Sequence, residues 1–122
     1  MWVEYNPNPC HKRVGDCTVR AISALLDQEW TQTFIELCIY AYMHCDMPSS
    51  NAVWGAYLKA KGCTRDIAPD DYTVADFAAD HPNGKYLLAL NQHVVTVING
   101  NYYDAWDSGN EEIIYFWKRK ED

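Results

Sequence analysis

Apolar side chains recur at helical spacing through the first half of the chain and collect into short, β-rich runs after residue 85. From Cys17 to Leu26 the apolar positions Val19, Ile22, Leu25 and Leu26 line one helical face, and Asp16 is placed to cap the first turn. A second helix is expected from about Thr31 to His44. A third runs from about Ser50 to Lys61, with Ser49 or Ser50 as cap and Gly62 as C-terminal stop. A short helix is predicted across Val74 to Ala79, opened by Thr73 with Asp76 three residues on as a capping box, and broken by Pro82-Asn83-Gly84.

The β-rich runs are Tyr86–Leu90, His93–Ile98, Tyr102–Trp106 and Ile113–Trp117. Asn99-Gly100-Asn101 joins the second and third, and Asn and Gly tolerate the positive φ that a tight hairpin requires. The first 15 residues, punctuated by Pro7, Pro9 and Gly15, read as an extended arm. Helices first and strands second predict an α+β fold, with N-terminal helices packed on a C-terminal antiparallel sheet. The expected organisation is one domain over residues 1–122: an arm over 1–15, a helical part over 16–80 and a sheet over 84–118. The length of 122 residues, 48% of them hydrophobic, suits one core.

A formal net charge of −7 opposes contact with phosphate backbones or anionic membrane surfaces and leaves a peptide or protein as the expected partner. The basic run Lys118-Arg119-Lys120 reads as a solvated tail. No apolar stretch approaches the ~18 residues of a membrane span, and the first residues lack the blocks of a signal peptide, so a cytoplasmic location is expected. Five cysteines at irregular spacing fit a reducing compartment better than a disulfide framework. No cofactor is expected. A metal-binding module using Cys10, His11, Cys17, His44, Cys45 or His93 is a weaker reading, because six residues separate Cys10 from Cys17 and Cys38 from Cys45, too far for a knuckle.

Cys17 is the cysteine best placed for chemistry. At a helix N-terminus, unpaired backbone N–H groups and the positive end of the helix dipole stabilise a thiolate. Cys38 falls mid-helix as a core thiol, Cys45 meets the wrong end of a dipole, Cys63 follows Gly62, and Cys10 belongs to the arm. Thiol catalysis also needs a base and a group that orients the base. His93 starts one hairpin strand and Asp104 lies on the next, so the two can share a face. A turn centred near Gly100 sets position 93 opposite about position 107, making Asp107 the alternative orienting acid. His11, His44 and His81 read as surface or capping residues.

The order of these parts, with a cysteine opening the first long helix and a histidine and an acid on consecutive strands, resembles the papain-like cysteine peptidase superfamily. Gly15-Asp16-Cys17-Thr18-Val19-Arg20-Ala21-Ile22 and His93-Val94-Val95-Thr96-Val97 are similar to its small branch of double-glycine-leader peptidases and related proteins of phages and bacteria. The resemblance implies a peptidase or amidase with a Cys17–His93–Asp104 triad, acting by acyl transfer to Cys17 followed by hydrolysis. Where the family places a glutamine shortly before the nucleophile to hold the oxyanion, this chain has His11 and no glutamine before Gln28. The Cys17 N–H would act with a second donor, for which Asn8, Asn6 and His11 are the candidates. Arg20 can pair with Asp16 or face the cleft, and Trp2, Trp54 and Trp106 can line a groove or fill the core. The alternative function is a catalytically inactive papain-fold binding protein, for example a phage-encoded inhibitor of a host protein.

Overall fold

The computed structural model describes residues 1–119 and is an α+β arrangement of four helices and one six-stranded sheet. In chain order the elements are β1 (Trp2–Glu4), α1 (Cys17–Leu26), α2 (Trp30–Met43), α3 (Asn51–Ala60), β2 (Cys63–Ile67), α4 (Val74–Asp80), β3 (Lys85–Leu90), β4 (His93–Ile98), β5 (Asn101–Asp104) and β6 (Tyr115–Arg119). The sheet order is β1-β5-β4-β3-β6-β2. Every pair is antiparallel except β1–β5, so the sheet is mixed.

The period-2 pattern of β3 and β4 divides the core between two faces. Leu87, Ala89 and Val94 pack with Ile22 and Leu25 of α1, Leu37 of α2 and Trp54 of α3. Leu88, Leu90, Val95 and Val97 face the other way, onto Val74, Phe77 and Ala78 of α4. Residues Thr18 to Leu25 of α1 are all buried. Thr96 Oγ1 donates to the Ala21 carbonyl at 2.6 Å, which fixes β4 against the middle of that helix. This contact holds the helix that begins with Cys17 over the strand that begins with His93.

The structure corrects the sequence reading at several places. Within the expected arm, Trp2–Glu4 form β1, held parallel to β5 by the register Trp2↔Tyr102 to Glu4↔Asp104. Inside the expected helical part, Cys63–Ile67 form β2, an edge strand paired to β6. Lys118 and Arg119 belong to β6 and are not a tail, while Lys120 and the end of the 1–122 range lie outside the described residues. Asp16 sits at the N-cap of α1 but makes no side-chain cap, because Arg20 and Trp30 take its carboxylate. The Thr73–Asp76 capping box of α4 forms as expected. No helix among the described residues is long and apolar enough to cross a membrane.

Candidate active site

Cys17 is the first residue of α1, so its backbone N–H has no carbonyl one helical turn behind it. Its side chain is partly buried, and the ring of His93 and the backbone N–H of Val94 both lie close enough to act on the thiol. That N–H is available for a physical reason. The Ala89 carbonyl accepts from Ile114 on the β6 side, so the Ala89–Val94 pair is the one that exchanges no ladder bonds. The polar groups of Val94 therefore point toward β5, whose pairing with β4 begins only at Thr96↔Tyr103.

The β4–β5 hairpin closes on the two-residue loop Asn99-Gly100, both at positive φ (49° and 82°), with Ile98↔Asn101 as the first pair. Continuing that register puts Val95 opposite Asp104 and His93 opposite Trp106. Asp104 is thus the diagonal neighbour of His93 on one face, which is within side-chain reach. His93 Nε2 lies 2.7 Å from Asp104 Oδ2, and the Trp106 ring rests on the imidazole with centroids 4.9 Å apart. With Nε2 facing the carboxylate, Nδ1 is the nitrogen left for Cys17.

Asp107, the alternative orienting acid, does not reach His93. The hairpin loop is shorter than the expected turn, and the Asp107 carboxylate accepts instead from Tyr102 Oη at 2.7 Å and from the Gly109 N–H at 3.0 Å.

Asp104 is fully buried, and four donors surround its carboxylate. His93 Nε2 and Ser108 Oγ donate to Oδ2, each at 2.7 Å. Arg20 Nη2 at 3.0 Å and the Ala105 N–H at 2.8 Å donate to Oδ1. Burial opposes its charge, but the hydrogen bonds from His93 and Ser108 and the charge of His93 outweigh that and hold the carboxyl below its ordinary value. An ionised carboxylate only accepts, so His93 Nε2 carries the proton.

Burial likewise disfavours the His93 cation, yet the bonds to Asp104 and Cys17 and their charges raise its pKa to about 9. For Cys17, burial raises the thiol, while the His93 hydrogen bond and charge, the Val94 N–H and the Arg20 charge bring it below its ordinary value. The two shifts are complementary and favour a thiolate–imidazolium pair.

A cleft of about 450 Å³ opens beside this pair, lined on one wall by Cys17, Asn51 and Trp54 and on the other by Asn91, Gln92 and His93. The oxyanion candidates from the sequence do not line it. Asn8 is buried with Oδ1 accepting from the Cys10 and Lys12 N–H groups, Asn6 Nδ2 donates to the Lys12 carbonyl, and His11 is exposed. The carboxamides in the cleft are Asn51, Asn91 and Gln92, which sequence reasoning missed. Asn51 Oδ1 accepts from Trp54 Nε1 at 3.1 Å, which leaves its Nδ2 as the donor. Residue type and helix-start position were the only available signals, and without a known cleft neither singles Asn51 out.

Of the remaining candidates, Trp2 Nε1 donates to the Asp104 carbonyl at 3.1 Å, Trp54 lines the cleft, and Trp106 covers His93. His44 and His81 turn Nδ1 toward the carbonyls of Tyr40 and Phe77, one turn back on their own helices. All five cysteines are free thiols, and Cys38, expected in the core, is partly exposed. Among the described residues no three His, Cys, Asp or Glu side chains converge as a metal shell. Comparison with known proteins returns no matching family model, no matching curated protein and no matching solved structure.

Proposed function

We propose that the chain is a cysteine hydrolase of the papain-like type that cleaves a peptide or other amide bond. The observation that carries this reading is the continuous line Cys17–His93–Asp104, with a nucleophile at a helix N-terminus, a base on a strand and a buried carboxylate behind the base. Cys17 thiolate attacks the carbonyl carbon, a C–S bond forms and the carbonyl electrons move to oxygen. His93 Nδ1 then gives its proton to the departing nitrogen as the C–N bond breaks. Water, deprotonated by His93, attacks the thioester, and the C–S bond breaks to return the thiolate.

The oxyanion lies within reach of the Cys17 N–H, and Asn51 Nδ2 is the side-chain donor proposed to complete its site. Apart from Cys17, His93 and Tyr115, the cleft is lined only by residues that do not ionise, which suits an uncharged acyl segment in extended conformation. The arrangement is tested by mixing the full chain with a p-nitrophenyl ester of a short peptide. A burst of p-nitrophenol equal to the protein present, with the acyl mass on Cys17, is expected; turnover without acylation of Cys17, or no reaction, rejects it.

A further inference from the structure

We infer that Arg20 is the positioning residue of this site, clamping the helix that carries the nucleophile to the carboxylate that orients the base. This inference rests on the hydrolase reading and adds to it a residue outside the triad. Arg20 is 6% exposed, and its guanidinium spans two buried carboxylates. Nη1 donates to Asp16 Oδ1 at 2.6 Å, immediately before Cys17, and Nη2 donates to Asp104 Oδ1 at 3.0 Å, at the end of β5. Asp16 is fixed in turn by Trp30 Nε1 at 2.9 Å, which brings α2 into the same network.

The geometry explains what the clamp does. A carboxylate has two oxygens and rotates about its Cβ–Cγ bond unless both are held. Arg20 and the Ala105 N–H occupy Oδ1, so Oδ2 is directed at His93 and Ser108. Because the same guanidinium grips the residue before Cys17, movement of α1 along the sheet changes both ends together, and the Cys17–His93 distance is kept. Helix i,i+4 pairing alone accounts for Asp16–Arg20, but it gives no reason for an arginine buried against a residue 84 positions away. The planar fork reaches both carboxylates at once, which a lysine ammonium on one flexible stem does not. The charged and titratable groups facing the guanidinium are Asp16, Asp104, His93 beyond it, Cys17 and, from the arm, Tyr5.

The test compares the full-length chain with two variants, reading site-resolved iodoacetamide alkylation of Cys17 against pH, with near-ultraviolet circular dichroism as the fold control. Arg20→Lys keeps the charge and loses the two-point grip. The double variant Arg20→Met/Asp16→Asn removes one positive and one negative charge together, and Asp104 keeps His93 as its partner, so no buried ion is left unpaired. Both folded variants are expected to alkylate about tenfold more slowly at neutral pH, with the midpoint of the rate profile moved to higher pH. The burst rate of acylation by the peptide ester should fall by the same factor, while the later steady-state turnover changes little. If Arg20→Lys does not fold, the double variant decides alone. A folded variant whose profile matches the wild type overturns the positioning role, while the hydrolase reading stands. Wild-type Cys17 that reacts no faster than Cys10 rejects both.

Discussion

His93 Nε2 and Asp104 Oδ2 meet at 2.7 Å from diagonal positions on β4 and β5, because the hairpin between them turns in two residues. A hairpin one residue longer would alternate the facing side chains and move Asp104 out of line. The Asp104–His93 contact therefore depends on the Asn99-Gly100 turn, where Gly100 adopts φ 82°. Substituting Gly100 by a β-branched residue is expected to reduce alkylation of Cys17 as well as stability, by ~1 kcal/mol or more through backbone strain. Thermal melting and alkylation measured on one preparation check this.

Asp104 and Asp107 should separate cleanly by mutation. Asp104→Asn removes the charge facing both His93 and Arg20, so activity should fall by about 10³- to 10⁴-fold, and stability by ~3 kcal/mol as Arg20 loses a partner. Asp107→Asn disturbs only the Tyr102 and Gly109 contacts, costs ~1 kcal/mol and leaves the rate within about twofold. Ester acylation kinetics with urea unfolding of each variant measure the contrast.

The pH dependence of stability follows from the same contacts. His93 has a folded pKa of about 9, above its ordinary 6.5, so its contribution is complete below 6.5 and is lost as pH rises through about 9. Asp104 is shifted below its ordinary 3.8, so its contribution is present above 3.8 and disappears as pH falls through the lowered value. The His93–Asp104 pair therefore stabilises the fold most between about 3.8 and 6.5, whereas Cys17, lowered from 9.0, contributes fully only above 9.0. In His93→Gln the alkaline decline should flatten, a difference read from melting temperatures across the range.

Asn51→Ala should lower the acylation rate by about 100-fold, since Asn51 Nδ2 is the proposed oxyanion donor, and cost ~1 kcal/mol as Trp54 Nε1 loses its acceptor. Asn8→Ala should leave the acylation rate alone. Its carboxamide organises the arm through the Cys10 and Lys12 N–H groups, so unfolding should become easier by ~1–2 kcal/mol while the rate per folded molecule holds. Parallel kinetics and denaturant curves distinguish the two asparagines.

Much of the site was legible because it rests on local signals. The start of α1 at Cys17, the Thr73–Asp76 box, the Asn99-Gly100 turn and Asp104 on the following strand each follow from residue type and spacing. The parts that were not legible depend on distant partners. Cys63–Ile67 is an edge strand with only Cys63 buried, so it shows no alternation, and Trp2–Glu4 is a strand only because β5 pairs with it. Asp16 occupies a cap position in sequence, but its carboxylate goes to Arg20 and Trp30. No local pattern announces that Arg20 and Ser108 would converge on Asp104 from opposite parts of the chain.

The most direct test of the thiolate–imidazolium pair is site-resolved iodoacetamide alkylation of Cys17 at about pH 6, using exposed Cys10 as the internal reference for an ordinary thiol. Cys17 is expected to label at least about tenfold faster than Cys10, and His93→Gln to abolish the difference. Equal labelling of Cys17 and Cys10 in the wild type, or an unchanged advantage in His93→Gln, would contradict the account.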